Sequence, residues 1–288
     1  MVQDRNAVYE NRNKEFREQI DRAEFRASRP YSLGYLVKDD FFKVLGDSTF
    51  ASPATIGCDE ESSKKLLGYA AKLTEKYPDW EVVSAMINSN GYSSGSGGPI
   101  QDIYGKTATQ HPLAECAKQA PEEFRDLLAS SFGNTNCCTD TRLRTVTNNK
   151  ELFGLSDKDI SDMLAKAVQT RNENQTSGKT AFETRVFSTL ALEDNKNIMT
   201  QFVQDHPKEF DTIIKSAYAE EVLSYIGNGK DKETNPVILD HITQNPDAYN
   251  QVVNNARKSG LQGTNSLVHP DVPTSNLADS MKDKNLGR

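Results

Sequence analysis

A short phrase recurs along this chain: spaced apolar residues, a proline, two mostly polar residues, an aromatic, and an aliphatic pair one turn later. It reads Pro121-Glu122-Glu123-Phe124 with Leu127-Leu128, then Pro207-Lys208-Glu209-Phe210 with Ile213-Ile214, then Pro246-Asp247-Ala248-Tyr249 with Val252-Val253. Pro78-Asp79-Trp80 with Val82-Val83 is a looser copy. Ahead of each full copy stand three residues at helical spacing: Leu113, Cys116 and Ala117; Met199, Phe202 and Val203; Ile238, His241 and Ile242. That spacing puts three side chains on one helix face. Proline cannot continue such a helix, because it lacks the N–H and collides with the preceding turn, but it suits the first position of a new one. Each phrase therefore predicts two helices meeting at a tight proline corner. Asn245 before Pro246 is a suitable N-cap, and Glu122, Glu123 and Asp247 suit the positive end of a helix dipole.

The prolines at 78, 121, 207 and 246 are separated by 43, 86 and 39 residues, and the long gap, twice the first, leaves room for one more copy. Ser156-Asp157-Lys158-Asp159, followed by Ile160, Met163 and Leu164, fills that place, with a near-capping box where the others have proline. In period and helical pairing the pattern resembles HEAT- and armadillo-like repeats over roughly residues 62–260. The resemblance implies stacked helical pairs and an extended surface suited to proteins. The expected fold class is all-α, either a helical-pair repeat or an irregular helical bundle. A long N-terminal helix and a disordered C-terminal tail complete it.

The expected division is a helical segment over 1–61, a helical domain over 62–260 and a tail over 261–288. Residues 4–28 read as a helix with Tyr9, Phe16, Ile20, Ala23 and Ala27 on a thin stripe. Such a stripe can pack on its own domain or dock into a partner's groove, and Tyr9, Phe16 and Ile20 are the candidate partner-binding residues. Leu36-Val37, Phe41-Phe42 and Val44-Leu45 read as a core helix ending at Gly46. Polar stretches at 92–111, 133–149 and 171–179 read as loops, the first made flexible by Ser93-Ser94-Gly95-Ser96-Gly97-Gly98-Pro99. Leu261–Arg288 has no aromatic residue.

Charge narrows the partners. With 34 basic and 41 acidic residues the chain is formally −7, and it has no strongly basic stretch to displace counterions from nucleic acid. No run of about 18 apolar residues predicts a membrane span. The charged N-terminus lacks the apolar stretch of a signal peptide, and the four cysteines form no disulfide framework, which together point to a cytoplasmic setting.

Signatures of chemistry are few. Gly178-Lys179-Thr180 matches the end of a phosphate-binding loop, but the glycine required five residues earlier is Glu173. His111, His206 and His269 each precede a proline, and His206, at the same corner as Asn245, reads as a helix-end residue. Cys137 or Cys138 could meet His111 or His206 in three dimensions as a nucleophile and base, but the pairing has no local signature. No cofactor, metal or catalytic residue is expected. The expectation is a non-enzymatic adaptor or accessory subunit that binds other proteins. Its acidic, helical character and polar C-terminus resemble bacterial type IV secretion accessory or effector proteins. The alternative is an effector enzyme with a site assembled from the three polar loops.

Overall fold

The structure, a computed structural model, describes residues 5–51, 57–77, 80–95, 97–133, 139–170, 179–224 and 236–258. Among these the chain is helical, with no strand beyond isolated antiparallel bridges of Gln101 to Ser93 and Thr107. The all-α class is therefore as expected. The tail from Leu261, Pro78-Asp79, the Cys137-Cys138 pair and nearly all of 171–179 lie outside the described residues. Two compact units are present, Met1–Arg171 and Asn172–Arg288.

The first unit opens with α1 (Arg5–Ser28), α2 (Gly34–Leu45), α3 (Ser48–Ala51) and α4 (Glu60–Lys76). In α1, Asn13, Phe16, Ile20, Ala23 and Ala27 form a buried stripe that packs on α4 and α2. The polar member is satisfied: Asn13 accepts the Asp59 N–H at 2.9 Å and donates to the Tyr9 carbonyl at 3.1 Å. Asp59 in turn caps α4 through the Ser62 N–H and pairs with Arg17 at 2.8 Å. Burial opposes ionisation of this carboxyl, but Ser62 and Arg17 outweigh it and hold Asp59 below the usual carboxylate range. A boundary near residue 61 is therefore replaced by a continuous unit, because α1 is fastened to the start of α4.

The unit continues with α5 (Val82–Ile87), α6 (Pro112–Gln119), α7 (Pro121–Gly133), α8 (Thr139–Asn148), α9 (Lys150–Phe153) and α10 (Asp157–Thr170). Helix α7 lies between α4 and α10, and α6 packs on α9. The proline corner is as the phrase requires: Ala120 alone separates α6 from α7, and Phe124, Leu127 and Leu128 are buried. The serine-headed copy also forms. The Asp159 carboxylate accepts the Ser156 N–H at 2.9 Å while the Ser156 hydroxyl accepts the Asp159 N–H at 3.1 Å, a reciprocal cap on α10. Phe124 of one pair packs on Phe153 at the threshold of the next, ring centroids 5.4 Å apart.

The second unit holds α11 (Lys179–Leu190), a single 3-10 turn (Glu193–Asn195), α12 (Lys196–Asp205), α13 (Pro207–Ser216), α14 (Ala219–Ser224), α15 (Pro236–Gln244) and α16 (Pro246–Lys258). His206 and Asn245 are the single-residue corners of α12–α13 and α15–α16. The pairs meet first helix to first helix and second to second, α12 on α15 and α13 on α16. Phe210 sits edge-on to His241, 4.9 Å between centroids, and Tyr249 is fully buried. Asn245 differs in detail from an N-cap: its side-chain amide donates back to the His241 carbonyl at 2.9 Å, serving the helix that ends. Each buried ring of this kind contributes roughly 1.5–3 kcal/mol by leaving water.

Candidate functional site

The polar stretches were the natural places for an assembled active site. Residues 133–149 are not a loop throughout, since 139–148 form α8. Leu143 and Val146 bury one face, and the Thr145 hydroxyl back-bonds to the Thr141 carbonyl. Helix α8 then holds the 92–111 loop. Asn149 accepts the Ile100 N–H at 2.9 Å and donates to the Gly98 and Thr145 carbonyls, while Asn148 donates to the Gly97 carbonyl at 2.6 Å. Gly97 has φ +85°, and a Cβ there would stand 2.6 Å from that of Arg144. The described part of the loop is thus fastened by an amide clamp, not left flexible as its composition suggested.

At the end of this loop, His111 is fully buried and caps α6. Its Nδ1 accepts the Leu113 N–H at 3.1 Å and its Nε2 faces the Ile87 carbonyl at 2.9 Å. The Nδ1 acceptor role fixes a neutral ring with the proton on Nε2. Burial pulls its pKa down to about 4. Cys58 and Cys116 are buried free thiols, and the hydrogen bond between them together with burial raises Cys58 well above an ordinary thiol. Such a group stays protonated and unreactive. His241 pairs with Asp211 at 2.7 Å, inside the α13–α15 contact. Among the described residues, no three His, Cys, Asp or Glu side chains are grouped to share a metal ion. No described helix is long and apolar enough to cross a membrane.

The N-terminal stripe does not supply an open docking face. Phe16 and Ile20 are fully buried within the first unit, and Tyr9 is half-buried. These contacts are made by α2 and α4, which cover the stripe that a partner's groove would have taken.

The open apolar surface lies next to it, where the sequence suggested core. On α2, Val37, Phe41, Val44 and Leu45 turn inward, but Leu36 and Phe42 are 49% and 45% exposed. Tyr35, 63% exposed, lies two turns from Phe42 on the same outer face. The corner between α1 and α2 adds Phe25, Tyr31 (94% exposed) and Leu33. An open recess of about 700 Å³, lined in part by Arg29, Tyr31, Leu33 and Leu36, lies on one flank of α2. A second of about 380 Å³, lined in part by Lys38, Phe42 and Trp80, lies on the other.

Comparison with family models, curated proteins and solved structures finds no match.

The electrostatics of this surface follow from its rings. Arg29 lies over Phe25 at 5.0 Å, and Lys38 lies 5.9 Å from both the Phe42 and Trp80 centroids. Among the described residues neither cation is paired with a carboxylate. Arg26, by contrast, is bound to Asp40 at 2.6 Å. A signal for the surface was present in the sequence. Tyr35, Leu36, Val37, Phe41, Phe42, Val44 and Leu45 encircle more of a twelve-residue helix than one buried face can take up.

Proposed function

We propose that this chain is a protein-binding adaptor or accessory subunit that docks its partner on the outer face of α2 and the α1–α2 corner. The observation that carries this reading is the concentration of exposed rings. Of the exposed aromatic residues among the described ones, Phe25, Tyr31, Tyr35 and Phe42 fall within one helix–turn–helix, while Tyr104 and Tyr218 stand apart. Contiguous apolar surface of this kind is costly to leave in water and marks interaction sites. Tyr, Trp and Arg are also the side chains that dominate binding energy at protein interfaces. Covering the exposed half of Leu36 and of Phe42 would each return roughly 1 kcal/mol before association costs, which suits a surface occupied part of the time.

The test is a paired capture from the native source. Tyr35→Ser/Phe42→Ser should keep the melting temperature within a few degrees, because Tyr35 is largely in water and Phe42 is only about half enclosed. It should lose proteins that the parent chain retains, whereas Tyr104→Ser, remote in sequence and on a separate loop, should keep them. Equal retention by all three chains would refute the assignment.

A further inference from the structure

The same surface has a charge preference, and this inference rests on the docking reading above. Residues 25–43 carry four cations (Arg26, Arg29, Lys38, Lys43) and two anions (Asp39, Asp40), a local +2 within a chain of −7. Arg26 spends its charge on Asp40. Arg29 and Lys38 do not: each is held over a ring, one beside each recess. A ring orients a cation without neutralising it, so each recess combines an apolar wall with a cation free to take a carboxylate. Asp39 and Asp40 also line the first recess, where Arg26, Arg29 and Lys43 outnumber them, and Glu81 lines the second together with Lys38. We infer that the partner presents an acidic amphipathic helix, its apolar stripe packed along Tyr35, Leu36 and Phe42 and its Asp or Glu side chains directed to Arg29 and Lys38.

Two features favour a helical, acidic occupant. Tyr35 and Phe42 are seven residues apart, about 10.5 Å along α2, the repeat at which a second helix returns the same face. The cations flank that line on either side in separate recesses, so they read charge on both edges of an apolar stripe. Arg29 and Lys38 are on this view specificity-determining residues, setting orientation and association rate, while the rings provide most of the hold.

Trp80 is the only tryptophan and lines the Lys38 recess, so its emission reports occupancy directly. The probe is a synthetic helical peptide of about 18 residues, without tryptophan, with a leucine stripe and glutamates on both flanks. Gln-flanked and Lys-flanked versions are the comparisons. The full chain should bind the Glu-flanked peptide roughly tenfold more tightly than the Gln-flanked one, and the Lys-flanked one least. That preference should shrink when salt rises from about 50 mM to about 500 mM. Arg29→Glu/Lys38→Glu should reverse the order, and Tyr35→Ser/Phe42→Ser should weaken binding of all three peptides.

Indifference to peptide charge, or an order unchanged by the charge-reversed variant, overturns the acidic partner. If captured proteins still depend on Tyr35 and Phe42 in that case, the docking reading stands without it; if they do not, both fail. Co-sedimentation with vesicles of roughly 30% phosphatidylserine that depends on Arg29 and Lys38 assigns the surface to lipid and also overturns the proposal. So does self-association that Tyr35→Ser/Phe42→Ser abolishes.

Discussion

His111 gives the fold a built-in acid sensitivity whose size follows from its geometry. The ring accepts a backbone N–H at Nδ1, so a second proton would remove the α6 cap and leave a charge in a fully buried site. Its pKa falls from an ordinary 6.5 to about 4 because burial disfavours the cation, partly offset by the bond to the Ile87 carbonyl. The unfolded chain therefore binds the proton more readily than the native one between these values. Stability from this group is full above pH 6.5 and is lost as pH falls toward 4. The loss is about 1.4 kcal/mol at pH 5.5 and about 2.5 kcal/mol at pH 4.5. The perturbation is His111→Asn, which can still cap a helix but cannot titrate. Urea melts from pH 7 to 4.5, with hydrogen exchange of α6 amides as a local readout, should show the parent losing about 2.5 kcal/mol relative to the variant. The variant is expected to be weaker at pH 7, having lost the Ile87 contact, so the slope and not the offset is decisive. Parallel pH profiles for the two chains would refute the assignment of a neutral, buried ring.

The corner aromatics provide a second check: Phe124→Ala and Phe210→Ala, both fully enclosed, should each cost on the order of 3–5 kcal/mol in denaturant melts. Removing the reciprocal cap with Ser156→Ala should cost about 1 kcal/mol and raise exchange only in the first turn of α10. Asn149→Ala should free the described part of the 92–111 loop, seen as faster proteolysis between Gly97 and Thr107 with α4 exchange unchanged. Deleting residues 1–29 should unfold the first unit, since Phe16 and Ile20 are part of its core, and a folded product by circular dichroism would contradict that.

The helical pairs were legible because proline writes their corners into the chain. Pro121, Pro207 and Pro246 each begin a helix, and the three-residue sets before them and the aromatic and aliphatic sets after them are buried with few exceptions, Val203 being half-exposed. Even the copy without proline could be found, since Ser156 and Asp159 encode the same start by side-chain capping. Other features were hidden because the deciding interaction is long-range. Nothing local says that Asn13 will meet Asp59, or that Asn149 will meet Ile100, yet those two asparagines fix α1 and the 92–111 loop. Helix α8 was masked by its Thr and Asn content, whose hydroxyls and amides bond back into the backbone. The exposed surface is hard to see in the sequence for a related reason. Apolar residues adjacent in sequence cannot all face inward on a helix, so Phe41 and Phe42 had to part.

That parting locates function more firmly than any motif does. From Pro112 onward, every phenylalanine among the described residues is buried, Phe124, Phe132, Phe153, Phe182, Phe187, Phe202 and Phe210 alike. The helical pairs thus use their rings to hold one pair against the next, and such rings are unavailable to a ligand. Between residues 25 and 42 the same side-chain type is used differently. Phe41 closes the core, while Phe25 and Phe42 stay outside beneath cations that have no carboxylate partner among the described residues. The part of a ring left in water contributes nothing to folding, and its neighbouring cation adds little to stability at an exposed site. Replacing Phe25, Tyr35 and Phe42 together by serine should therefore leave the melting temperature within a few degrees of the parent, in contrast to Phe41→Ser, which should unfold the first unit. A large loss of stability in the triple variant would mean that these rings serve the fold after all, and the docking surface would have to be sought elsewhere.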